Sequence, residues 1–126
     1  RHPKQDMLWV AAAGPASNLV MAILWAFVIK FSASAPAAFT EPLALMGATG
    51  VGINVVLMVL NLLPLPPLDG GRIAVSLLPM ELARPFSQIE RYGFIILIVL
   101  LFTGILGKIL DPFIGIFFSL IKNIIL

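Results

Sequence analysis

Asn61-Leu62-Leu63-Pro64-Leu65-Pro66-Pro67-Leu68-Asp69-Gly70-Gly71-Arg72 closes a long apolar run with three prolines, two glycines and a single carboxylate. Proline lacks a backbone N–H and its ring collides with the preceding turn, so a helix arriving through residues 51–60 must come apart around Pro64–Pro67. Every carbonyl or N–H freed there needs another partner. Inside a bilayer such a break is tolerated only where it is buried in protein or lines a wet cavity. An ionised Asp69 beside it is costly in hydrocarbon, and intramembrane carboxylates mark functional sites by default. The plainer alternative is that Asp69 caps the next helix at the water interface, where Asp is common.

The rest of the sequence favours the bilayer. Its 126 residues are 60% hydrophobic and 11% charged, with a mean hydropathy of +1.08. A soluble domain is nearer half apolar and a quarter charged. The net charge of +2 is small and its cations are scattered, so nucleic acid is not an expected partner. There is no cysteine, which excludes disulfides and thiolate metal sites. The chain opens on Arg1 with no signal-peptide pattern, and is read as a piece of a longer protein. His2, the only histidine, stands beside a proline in a polar stretch and reads as a solvated loop residue.

Residues 7–31 form the first expected span, since about 20 apolar residues cross a core of ~30 Å. Its small residues, Ala11 to Asn18, invite close helix approach. Gly14 and Asn18 are one turn apart and share a face, Pro15 leaves a carbonyl near Ala11 without its donor, and Asn18 can bond a neighbouring helix. All three read as packing support. Ser32–Pro42 is expected to be a loop, and residues 43–63 an uncharged second span in which Ala48 and Gly52 form a small-x-x-x-small pair. Asn54 and Asn61 lie two turns apart on one side. Residues 70–84 are too short and too charged to cross and suit an interfacial helix or loop, interrupted at Pro79. Residues 89–106 make a third span, Gly107-Lys108 a turn, and residues 112–126 a segment too short for a full crossing. The expected class is an all-α polytopic membrane bundle, one domain of three to four spans with a broken helix at Asn61–Asp69. Arg1, Lys4, Arg72, Arg84, Arg91 and Lys122 are assigned to the Asp69 end and Lys30 and Lys108 to the other, which puts the Asp69 end in the cytoplasm.

Asn61-x-x-Pro64-x-x-x-x-Asp69-Gly70 resembles the third-ligand motif of the site-2 protease family, zinc metalloproteases that cut inside membranes. Gly14-Pro15-x-x-Asn18 looks like that family's other core-helix motif. Arg1-x-Pro3-x-x-Asp6-Met7, Gly71-Arg72 and Glu90-x-Tyr92-Gly93 are similar to its small multi-pass bacterial and archaeal members, so a bacterial or archaeal cell membrane is expected. The match runs from Arg1 to about Ile105. Two motifs in order, about 40 residues apart on consecutive spans, are far more specific than either alone.

The resemblance implies zinc held by Asp69 and by two histidines of an H-E-x-x-H helix whose glutamate is the general base. It implies that Asn61 holds the substrate or the oxyanion, and that the substrate is a membrane-spanning protein. A catalytic zinc takes three protein ligands and keeps one position open for water. H-E-x-x-H is absent from these 126 residues, and His2 cannot replace two histidines four apart. The missing ligands are expected upstream of Arg1, and the 126 residues alone are expected to be inactive. A transporter or ion-binding protein using the same broken helix is the alternative of another class, disfavoured by the lack of an internal repeat. A non-catalytic relative that binds membrane helices is the third. A helical substrate must unwind to expose an amide, and backbone near Pro64–Leu68 could pair with it as in strand addition. On that reading, Pro64→Leu should slow cleavage of a helical substrate more than of an already extended one, in rate assays comparing the two.

Overall fold

The structure, a computed structural model, describes residues 3–65 and 68–126. Arg1 and His2, named above, fall outside them, as do Pro66 and Pro67. Among the described residues there are six helices and no strand: α1 (Pro3–Ser32), α2 (Ala37–Asn61), α3 (Asp69–Leu77), α4 (Met80–Gln88), α5 (Glu90–Thr103) and α6 (Ile105–Ile124). Gln5–Ser32 and Ala37–Asn61 are each long and apolar enough to cross a membrane. A third crossing results if Met80–Phe86 and Arg91–Thr103, bent by 59°, form one span.

The antiparallel pair α1–α2 is the scaffold. Ala22 and Ala26 are fully buried, and Val51, Val55, Met58 and Val59 join them in one apolar core. Close approach depends on the missing side chains of Gly47 and Gly50: a Cβ on the first would meet Ile29 and the Trp25 carbonyl, and on the second the Trp25 ring. Without a hydrophobic drive between lipid-immersed helices, such backbone-to-side-chain contact is what holds them. Gly52 faces elsewhere, where a Cβ would meet the Phe118 ring of α6 at 3.8 Å, and Ala48 lines a cavity with Phe118 and Ser119. Asn54 is buried at this interface, and its Nδ2 donates to the Gly50 carbonyl at 2.8 Å. The amide is therefore satisfied within its own helix.

Three elements differ from expectation. The loop placed over Ser32–Pro42 shrinks to residues 33–36, and α2 begins at Ala37 with Pro42 inside it. Pro42 removes the bond to the Ala38 carbonyl, but Ala38 is exposed, and the Thr40 hydroxyl ties back to the Ala35 and Pro36 carbonyls at 3.3 and 3.4 Å. The turn expected at Gly107-Lys108 lies instead at Gly104, whose φ of +79° is left-handed backbone that glycine adopts without steric cost. As a result α6 gains residues 105–111 and reaches 20 residues, about 30 Å.

The third difference is the direction of α6. Phe113 and Phe117 share an apolar cavity of about 320 Å³ with Val59, Leu62, Leu63 and Pro64, at the end of α2. Ile121 and Lys122 lie with Ile29 and Ala48, at the far end of the pair. Thus α6 runs parallel to α1, Lys122 belongs to the Lys30 end and Lys108 to the Asp69 end. The two lysines exchange sides. The short helices behave as their charge requires: α3 and α4 are separated at Pro79, whose carbonyl accepts from the N–H groups of Leu82 and Ala83 at 2.9 and 2.8 Å.

The scaffold yields a direct check. Gly50→Ala should destabilise the fold by about 1–3 kcal/mol through overpacking against Trp25, read as a lowered thermal unfolding midpoint in detergent. In a Trp25→Ala background the same change should cost much less.

Candidate metal centre

The site begins with the way α2 stops. Leu62 N–H still reaches back to the Met58 and Val59 carbonyls, at 3.0 and 3.2 Å, and Leu63 N–H to Leu60 at 3.2 Å. Pro64 then ends the ladder, having no N–H to give. Leu65 N–H turns to the Leu63 carbonyl at 2.7 Å, Leu68 N–H to Leu65 at 2.9 Å, and Arg72 N–H to Leu68 at 3.2 Å. The chain thus crosses the break in tight turns that use up its remaining donors. Leu68, extended at φ −69° and ψ 158°, precedes Asp69, the first residue of α3.

Gly70 fixes where α3 starts. It is buried, and a Cβ on it would run into the carbonyls of Leu62 and Leu63. The first turn of α3 therefore lies directly on the backbone that α2 has abandoned. On its other side α3 packs against α1, and there Asp69 meets Gly14. A Cβ on Gly14 would stand 2.5 Å from Asp69 Oδ2, 3.4 Å from Cγ and 4.0 Å from Oδ1. The carboxylate occupies the space that any other residue at position 14 would fill.

Asp69 is half-buried, and no hydrogen bond or salt bridge joins its carboxylate to another described residue. It does not cap α3: Leu68 holds that position, without a side-chain cap bond. The positive end of the helix dipole still favours an anion at the first residue. Depth can be read along α1. Gly14 is nine residues from Gln5, about 14 Å, and eighteen from Ser32, about 27 Å. If α1 spans the bilayer, the carboxylate sits inside the hydrocarbon layer and away from bulk water.

The other residues singled out by sequence gather at the same end. Pro15 is buried beside Gly14, and Asn18 is half-buried one turn further along α1. The Ser17 hydroxyl donates to the Gly14 carbonyl at 2.8 Å. Asn61 is half-buried at the last position of α2, and Pro64 is exposed. The sequence assigns Gly14 a packing role; in the structure its neighbour is the Asp69 carboxylate itself. The order of the two motifs on consecutive spans was the only available signal.

As a metal site the donor set is partial. Among the described residues no three His, Cys, Asp or Glu side chains come together. What is present is one oxygen donor, unpaired and half-buried, in a slot left open by a glycine. That suits one corner of a zinc site, where a carboxylate binds at about 2.0–2.2 Å.

A helical protein with two membrane-length spans and a half-buried carboxylate beside a proline-broken helix is the class that fold and site define. The chain belongs to Peptidase family M50, whose model matches residues 28–104, more than half of the chain and all of the Asn61–Arg72 break. It is 36% identical over 116 residues to "Putative zinc metalloprotease YwhC" of Bacillus subtilis, covering 89% of this chain and 53% of that protein. It is 40% identical over 101 residues to "Putative zinc metalloprotease Rip2" of Mycolicibacterium smegmatis, covering 79% of this chain and 37% of that one. The chain thus spans about half, or less, of the length of these relatives. No solved structure matches it.

The contact at Gly70 is open to test. Gly70→Ala should lift the start of α3 off the Leu62 and Leu63 carbonyls at a cost of about 1–3 kcal/mol. Faster proteolytic nicking between Leu62 and Asp69, with the α1–α2 core still protected, is the expected result.

Proposed function

We propose that this chain is part of a zinc-dependent intramembrane endopeptidase of the site-2 protease type, acting on membrane-spanning proteins, and that Asp69 is its metal-ligating residue. The observation that carries this reading is the unpaired Asp69 carboxylate, delivered by a broken helix to a glycine-lined slot within the span of α1. By resemblance, two histidines and a glutamate of an H-E-x-x-H helix outside these 126 residues complete the centre. The isolated 126 residues are accordingly inactive.

When bound, zinc acts as a Lewis acid and makes hydroxide available near pH 7. The chain's own residues do the rest. Asp69 holds one ligand position, with its backbone pinned by Gly70 and its carboxylate seated against Gly14. Asn61 stands at the end of α2, where its amide N–H can donate to the substrate carbonyl or to the developing oxyanion. One such donor is worth roughly 3–4 kcal/mol.

The break also bears on substrate unwinding. The N–H groups of Leu65 and Leu68 are already engaged, so a strand-like substrate would donate its own N–H groups to carbonyls at the break. This narrows strand addition to one direction of hydrogen bonding, and Pro64 keeps that stretch out of a helix.

The cationic residues support a cytoplasmic location for the Asp69 end. Arg72, Arg84 and Lys108, with Arg1, Lys4 and Arg91 by sequence, stand against Lys30 and Lys122. The protein would be a multi-pass component of a bacterial or archaeal cell membrane.

Elemental analysis of the purified full-length protein should find about one zinc per chain, lost in Asp69→Ala. A metal-free parent would sink the reading. Zinc binding without cleavage of any single-span substrate would point to a non-catalytic helix-binding relative, and sodium-dependent uptake indifferent to zinc chelators to a transporter.

A further inference from the structure

We infer that Gly14 is a positioning residue for the metal-ligating carboxylate: it sets where Asp69 can present its oxygens, and its role is not helix packing in general. The inference rests on the reading of Asp69 as a zinc ligand and adds to it a constraint from α1.

The atoms that a Cβ on Gly14 would meet are all three of the Asp69 carboxyl group, with Oδ2 the closest at 2.5 Å. Among the described residues, no backbone atom and no other side chain lies nearer than these to that position beyond its own helix. Gly47 and Gly50, the glycines that do hold α1 and α2 together, instead face Ile29 and Trp25. Gly14 is therefore empty for the sake of one carboxylate.

Asp69 is the first residue of α3, and Gly70 presses that turn on the Leu62 and Leu63 carbonyls. The backbone cannot retreat, so a methyl at position 14 must rotate the Asp69 side chain. Restoring ordinary contact takes a displacement of roughly 0.5–1 Å, several times the tolerance of about 0.2 Å on a metal–ligand distance. Groups that orient a ligand typically change metal affinity about 10–100-fold when altered. Helix propensity pulls the other way: alanine is a better helix former than glycine, so a purely structural Gly14 predicts a fold that is no worse for the change.

The experiment uses the full-length protein in detergent, with zinc affinity measured by chelator competition and site geometry by the visible spectrum of the cobalt-substituted protein. Gly14→Ala should weaken zinc about 10–100-fold and alter the cobalt bands, while the metal-free protein melts at or above the parent temperature. Gly50→Ala should do the reverse, lowering the melting temperature with zinc affinity kept. Affinity within twofold of the parent and an unchanged cobalt spectrum in Gly14→Ala would overturn the inference. Should Gly14→Ala be unstable without metal, Asp69→Ala is added. Recovery of stability in Gly14→Ala/Asp69→Ala locates the conflict at the carboxylate, and persistent instability refutes it. A parent that binds no zinc defeats the protease reading itself, a result distinct from a zinc-binding parent with an indifferent Gly14→Ala.

Discussion

Backbone polarity inside a bilayer is the constraint on which the rest of this molecule depends. A spanning helix satisfies every N–H and carbonyl internally, and a break leaves groups that lipid cannot serve. In α2 the break is made by proline, which lowers the demand at its source by bringing no donor of its own. The donors that remain, on Leu65 and Leu68, are consumed by carbonyls two and three residues back. The carbonyls of Leu62 and Leu63 are shielded by a glycine turn. An energetic liability is thereby converted into a fixed joint, and the residue carried by that joint is Asp69.

A joint is useful only if what it meets is equally fixed. Here α1 and α2 are locked by alanines and by glycines filled from across the interface by Trp25 and Ile29. Asn54, the polar group buried between them, spends its donor on its own helix and leaves the pair free to pack by shape. With the register of α1 against α2 set at this far end, the level at which Gly14 stands beside the break follows from helical rise alone. Packing remote from the site thus decides what faces the carboxylate.

Much of this was legible in the sequence. The prolines and Asp69-Gly70 announced the break, and α2 does end at Asn61 with a new helix starting at Asp69. The two long spans were evident from hydropathy, and Pro79 did divide the charged segment. What failed were the features that local pattern underdetermines. Pro42 reads as a helix stop, yet near an exposed helix end the lost bond matters little, and α2 starts at Ala37. Gly104 and Gly107 are equally plausible turns, and the neighbouring lysine drew attention to the wrong one. The side on which Lys108 and Lys122 emerge depends on the direction of α6, which follows from that turn. The meeting of Gly14 with Asp69 depends on interhelical register, which no single stretch encodes. Sequence singled out Asp69, and tertiary structure supplied Gly14 as its neighbour.

Asp69 carries a carboxylate with no partner among the described residues, beside a break in a membrane-length helix. Burying an ionised group is costly unless it is paired, and natural membrane proteins pair such groups or set them on ion and substrate paths. The start of α3 lends Asp69 a partial positive charge, but that offsets only part of the cost of burying an unpaired anion. A lysine or arginine would neutralise it, yet Arg72, Arg84 and Arg91 are all exposed and none bonds it. An oxygen donor held rigidly, kept unpaired and given a glycine to lie against is the arrangement expected when its counter-charge is a small cation brought in by other ligands. The cost of leaving Asp69 bare among these residues is the strongest physical reason to look for the rest of a zinc site around it.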